Sequence, residues 1–160
     1  MTHTKRSQSS HWLLDDAVTL YHLGRKHSAI LLLLCAVDAL AREAAPTNTN
    51  SADRFENFLR SKMRRSGRAQ IHTIEIARLG RSFSFEYIIY KFLRCPLVHE
   101  GARLEANDPT EFIVCLDWDT IPHGIKLEPD LNRVLLGGEL VFDILADSVQ
   151  HELENGSGLA

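Results

Sequence analysis

Cysteine is scarce here and poorly spaced for a structural role. The 160 residues hold three, Cys35, Cys95 and Cys115, an odd number with no Cys-x-x-Cys pair. That excludes a disulfide framework and a zinc ribbon, and it leads us to expect a reducing, cytoplasmic compartment. Long apolar stretches are lacking too. The longest nearly unbroken one, Ala29 to Val37, is half the roughly 18 residues of a membrane span, so no membrane association is expected. Lys5 and Arg6 lead into the polar Ser7–Ser10 rather than an apolar core, so no secretory signal is expected either. The phosphate loop GxxxxGK[ST], the dinucleotide fingerprint GxGxxG and the nucleophile elbow GxSxG are all missing. The eight histidines show no ligand spacing. His99-Glu100 begins like a zincin helix, but Arg103 stands where the second histidine belongs, so neither a metal nor a cofactor is expected.

What is present suits one ordinary domain. A chain of this length buries about 70% of its unfolded surface and needs no covalent staple. The formal net charge of −3 conceals an uneven layout. Residues 1–53 balance, residues 54–102 carry a surplus of +6, and residues 103–160 carry −9. The basic middle suits a polyanion. The acidic end suits a basic partner, the chain's own middle, or a second subunit.

Helical patterning dominates. Residues 1–9 are polar and expected to fray. Ser10 is a candidate N-cap for a first helix through Trp12, Leu13, Val18, Leu20 and Tyr21, with Gly24-Arg25-Lys26 as its stop. A second helix, from about His27 to Ala45, is apolar almost all round and belongs at the centre of a bundle, with Cys35 in the packing. Asp53 and Glu56 resemble a capping box for a third helix through Phe55, Phe58, Leu59 and Met63. Ile71 to Leu79 reads as a further helical piece. In the fourth helix, Phe85, Ile88, Ile89, Phe92 and Leu93 keep the helical period and face the core. At about 100° per residue, Tyr87, Tyr90, Lys91 and Arg94 fall on the opposite side. Pro96 should end or kink that helix.

Between Glu111 and Leu127 the texture turns to strand-formers around Pro122-His123-Gly124, which suggests a short β-hairpin with Cys115 and Trp118 in its core. From Leu131 a final helix is expected, with Gly137-Gly138 inside it marking a close helix–helix approach. The tail from Asn155 is expected to be flexible. The fold class expected is therefore all-α: an antiparallel bundle of about five helices over residues 10–153, with a small β-hairpin before the last helix.

The constellation with chemical promise is Arg94-Cys95-Pro96-Leu97-Val98-His99-Glu100-Gly101. An arginine followed after four residues by histidine, at the end of a helix in a small helical domain, resembles the Rx4–6H motif of the HEPN superfamily. "RCPLVHEG" is similar to the form found in one group of that superfamily, and "LLLLCAVDAL" in the second helix resembles the same group's core helix. The resemblance covers about residues 10 to 153. It implies a metal-independent endoribonuclease, of a toxin-like or defence-associated kind, acting as a homodimer in which two Arg/His pairs meet. An antitoxin or nucleotidyltransferase partner protein belongs to that setting. Members modified by such a transferase carry a tyrosine two residues after the motif histidine. Gly101 stands there, so that regulation is not expected. The chain also departs from the commoner pattern in having Cys95, rather than a polar residue, after the arginine.

The implied chemistry is coherent. RNA carries its own nucleophile in the 2′-hydroxyl. Neutral His99 can take that proton near physiological pH, and Arg94 can clamp the phosphate as charge develops. Asp38, Cys95 and Glu100 are candidate supports, Arg60, Lys62, Arg64 and Arg65 are candidate RNA contacts, and Tyr87 and Tyr90 are candidate dimer-interface residues. Plainer readings stand beside these. His99 suits a helix C-terminus, Arg94 suits an ion pair with Asp38, and the basic cluster suits a solvated face. On an ideal helix Arg94 and His99 diverge by about 140°, so the Pro96 break or a second subunit must bring them together. The alternative to an enzyme is a non-catalytic HEPN-type dimerisation module that binds RNA, nucleotide or a protein partner.

Overall fold

The computed structural model describes residues 3–65, 73–95 and 112–156. The chain divides into two units, Met1–Ala69 with Phe142–Ala160, and Gln70–Val141. Helix is the main component, with two small sheets.

The first unit opens with α1 (His3–His22), which begins ahead of Ser10. Ser10 is no cap: it lies inside the helix at 1% exposure. The stop at Gly24 is as expected. Gly24 adopts φ 75°, Arg25 N–H reaches back to the Leu20 carbonyl at 2.9 Å and Gly24 N–H to that of Tyr21 at 2.9 Å, which closes the helix with a left-handed residue. α2 (Lys26–Ala44) packs along α1 and against α3. It buries Ala29, Ile30, Leu33, Leu34, Ala36, Val37, Leu40 and Ala41, each large side chain contributing roughly 1.5–3 kcal/mol. Cys35, expected in that packing, is only half-buried. α3 (Ser51–Arg65) starts before the expected cap at Asp53. Asn50 caps it instead, its Oδ1 accepting the Asp53 N–H at 2.9 Å.

The second unit differs more from the expected bundle. The piece read as helical at 71–79 is a hairpin arm. β1 (Thr73–Ile76) leads through a short 3-10 turn (Ala77–Leu79) and Gly80, at φ 58°, into β2 (Arg81–Ser84), antiparallel with Ile74 opposite Phe83. Ile74, Ile76 and Phe83 are buried, so two-residue alternation overrides the helical reading. α4 (Phe85–Ile88) follows at once and continues as a π-helical stretch, Ile89–Arg94. It belongs to this unit.

The expected hairpin at 111–127 is corrected. β3 (Ile113–Asp117) and β4 (Ile125–Glu128) do not pair with each other. β5 (Arg133–Gly137) lies between them, parallel to β3 and antiparallel to β4. The run Val134-Leu135-Leu136, read as the opening of the last helix, is a strand buried along its length. A short apolar run carries no period of its own, and the left-handed Asn132 (φ 49°) and the glycine pair at 137–138 are its true bounds. α5 (Gly138–Gly156) therefore starts seven residues later than the Leu131 expected.

Gly137-Gly138 marks a close approach, but not of two helices. A Cβ on Gly137 would overlap the Ile121 and Pro122 carbonyls, and one on Gly138 would overlap the Trp118 ring. The Leu140 N–H donates to Pro122 O at 3.0 Å, tying the start of α5 to this loop. In the first unit Phe142 of α5 stacks on Tyr21, ring centres 4.0 Å apart. No helix among the described residues is long and apolar enough to cross a membrane.

Candidate active site on helix α4

Ser84 opens α4, its Oγ accepting the Tyr87 N–H at 3.1 Å. The stripe read from the sequence is the buried face, since Phe85, Ile88, Ile89, Phe92 and Leu93 are all at most 1% exposed. Phe83, Tyr87, Phe92 and Phe112 form an aromatic cluster, with Phe92 and Phe112 4.8 Å apart and Phe83 stacked on Tyr87 at 5.7 Å. Tyr87, offered as an interface residue, thus has its ring engaged inside the unit.

Arg94 is the principal correction. Placed opposite the core stripe by an α-helical count, it is 5% exposed. The winding explains this. In the π-helical stretch the Cys95 N–H bonds to the Tyr90 carbonyl, five residues back. A wider turn advances each residue by less than the ~100° of an α-helix, so five residues bring Arg94 back toward the core side. Its guanidinium carbon lies 5.4 Å from the centre of the Tyr90 ring, a cation–π contact. π-helical turns are uncommon and often found at functional sites.

One charged residue of this helix escaped the sequence reading. Glu86 is 1% exposed, and Glu86, Tyr90 and Arg94 recur at four-residue spacing along α4. That spacing was the available signal. A lone glutamate next to an apolar stripe carries no sign of its burial. Glu86 and Arg94 are thus buried charged residues, and Tyr90 a half-buried phenol, in a segment whose other buried residues are apolar.

His99 and Glu100, with Gly101, lie outside the described residues. Cys95 is half-buried at the end of the stretch. Asp38 belongs to the first unit, where its carboxylate takes a hydrogen bond from Arg42 one turn on, at 2.9 Å. The basic cluster of α3 is not one surface. Lys62 is 5% exposed and ion-paired with Glu152, so it leaves the solvated face assigned to it. Arg60 donates to Asn57 at 3.2 Å, while Arg64 and Arg65 are exposed. Among the described residues no group of three His, Cys, Asp or Glu could hold a metal ion.

No family model, curated protein or solved structure matches the chain.

Proposed function

We propose that the chain is a HEPN-type endoribonuclease, metal-independent, homodimeric and cytoplasmic, in which Arg94 and His99 carry the reaction. What supports this most is Arg94 itself. It stands at the end of a π-helical turn, largely desolvated and steadied by Tyr90, with the motif histidine five residues on. A guanidinium shielded from water exerts a stronger field on an arriving phosphate than a solvated one. In the reaction the imidazole takes the proton of the RNA 2′-hydroxyl and the 2′-oxygen bonds to phosphorus. The bond to the 5′-oxygen then breaks, and an imidazolium returns a proton to that leaving oxygen. The products are a 2′,3′-cyclic phosphate and a 5′-hydroxyl end. Arg94 offsets the negative charge that grows on the phosphoryl oxygens.

The test is cleavage of RNA in the presence of a chelator. Wild type is expected to leave cyclic phosphate ends, and Arg94→Ala or His99→Ala to lose roughly 10²–10⁴-fold in rate. Equal cleavage by both variants, or dependence on added metal, would sink the proposal. The second reading, a non-catalytic HEPN-type module that dimerises and binds RNA, nucleotide or a protein partner, is favoured by one observation. A guanidinium at 5% exposure is the mark of a structural role as much as a phosphate clamp. Under that reading, Arg94→Ala lowers the melting temperature and no variant alters RNA integrity.

A further inference from the structure

We infer that a cleft in the first unit, between the C-terminal end of α2 and one face of α3, binds a small phosphate monoester. The proposal uses residues of that unit alone and does not depend on the reading of α4. The cleft has a volume of about 420 Å³. Its polar wall comes from α3, where Arg54, Asn57, Ser61, Lys62 and Arg65 recur at helical spacing. Three of these five are cations. The single carboxylate lining the cleft is Glu152, and it is engaged by Lys62, which is itself 5% exposed and lies 5.2 Å above the Phe58 ring. That leaves the charges of Arg54 and Arg65 in excess.

The donors point the same way. The Ser61 hydroxyl is spent on the Phe58 carbonyl at 2.8 Å. Asn57 Oδ1 accepts from Arg60 at 3.2 Å, which leaves the amide NH2 of Asn57 as a donor. Arg54 Nε is screened from solvent and finds no acceptor among the described residues. Nε is therefore not what an incoming anion meets; the outer N–H groups of a guanidinium are the ones an anionic oxygen takes in a planar fork. The phosphate dianion matches two spare guanidinium groups in charge and in the number of acceptors. Apart from Thr49 the rest of the lining is apolar: Ala41, Ala44, Ala45 and Pro46, with Phe58 beside them. A bare phosphate would leave that lining uncovered, whereas an ester with a flat or apolar body covers it.

The experiment is calorimetric titration of the full chain at constant ionic strength with two probes, inorganic phosphate and phenyl phosphate. Saturable one-to-one binding is expected for both, with phenyl phosphate several-fold tighter because its ring lies on the apolar lining. Arg54→Gln and Arg65→Gln should each weaken binding about tenfold or more, since a charge-assisted hydrogen bond is lost. Arg54→Lys should fall between, as it keeps the charge and loses the fork. Arg25→Gln, an exposed arginine of the same unit outside the cleft, should bind like wild type. Absence of saturation, or an Arg54→Gln protein that binds both probes normally, would overturn the site. Equal affinity for the two probes would overturn the assignment to an ester and leave a site for the phosphate group alone.

Discussion

Gly137 and Gly138 show how two neighbouring residues of one type answer to different constraints. Neither has a positive φ, so the requirement is space. At Gly138 the obstacle is the Trp118 side chain, which can turn aside. At Gly137 it is the backbone of Ile121 and Pro122. That backbone is fixed by the bonds from Gly137 N–H to Gly124 O at 2.7 Å and from Leu140 N–H to Pro122 O. We expect both alanine variants to destabilise by roughly 1–3 kcal/mol, as overpacked sites do, with Gly137→Ala the worse. In a Trp118→Ala background the Gly138→Ala cost should vanish and the Gly137→Ala cost persist, as urea melts of the single and double variants would record. Equal costs in both backgrounds would show that Trp118 is not the obstacle. From the sequence this pair was legible as a close approach. What it approaches was not, because the loop that meets it lies some fifteen to twenty positions earlier and bears no periodic signal.

At the scale of elements, helices were legible where a long stripe met a stop signal, as in α2 and along α4. They were less legible where the winding changed. A sequence does not announce a π turn, and the α-helical count put Arg94 on the wrong side and left Glu86 unnoticed. Strands of four or five residues were harder still. β1 and β5 are too short to separate a two-residue period from a helical one, and their identity comes from the strands they pair with, β2 for β1 and β3 and β4 for β5. The turn after β3 supplies part of what holds that sheet. The Asp117 carboxylate accepts from the Thr120 hydroxyl at 2.7 Å and from the backbone N–H groups of Ile121, Thr120 and Asp119. The Thr120 hydroxyl first, and then those amides, hold its pKa down to about 2. A group whose folded pKa lies below its unfolded value stabilises above the unfolded pKa, and that contribution is lost as pH falls through the folded one. Stability should therefore decline between about pH 4 and pH 2. In Asp117→Asn the decline across that window should be shallower, from a lower starting stability, in thermal melts at a series of pH values. A variant whose acid profile superimposes on wild type would remove Asp117 from this role.

For the whole molecule, the division of charge bears on any polyanion. The first unit holds eleven basic and ten acidic residues, and the second, which contains Arg94, holds seven basic and eleven acidic, a net of −4. The basic residues of α3 thus fold into the unit that also receives Asp143, Asp147, Glu152 and Glu154 of α5, and the Lys62–Glu152 pair is one place where the two neutralise each other. Along the sequence, the stretch of residues 54–102 that carries the +6 surplus also contains Arg94. Arg94 belongs to the other unit, whose net charge is −4. Under the proposed reading, RNA at Arg94 is held chiefly by the motif arginines of the two subunits, in a unit whose own charge does not favour a polyanion. Each phosphate neutralised on a single strand contributes about −0.7 to the slope of log affinity against log salt, so a slope between about −1.5 and −3 is expected. Fluorescence anisotropy with a labelled single-stranded RNA and the His99→Ala protein, from low to moderate salt, measures it without cleavage. Arg94→Gln should flatten the slope by about one to one and a half, because the substitution removes one contact from each subunit. A slope of −5 or steeper, unchanged by Arg94→Gln, would mean that other cations do the binding and that Arg94 makes no contact with the RNA.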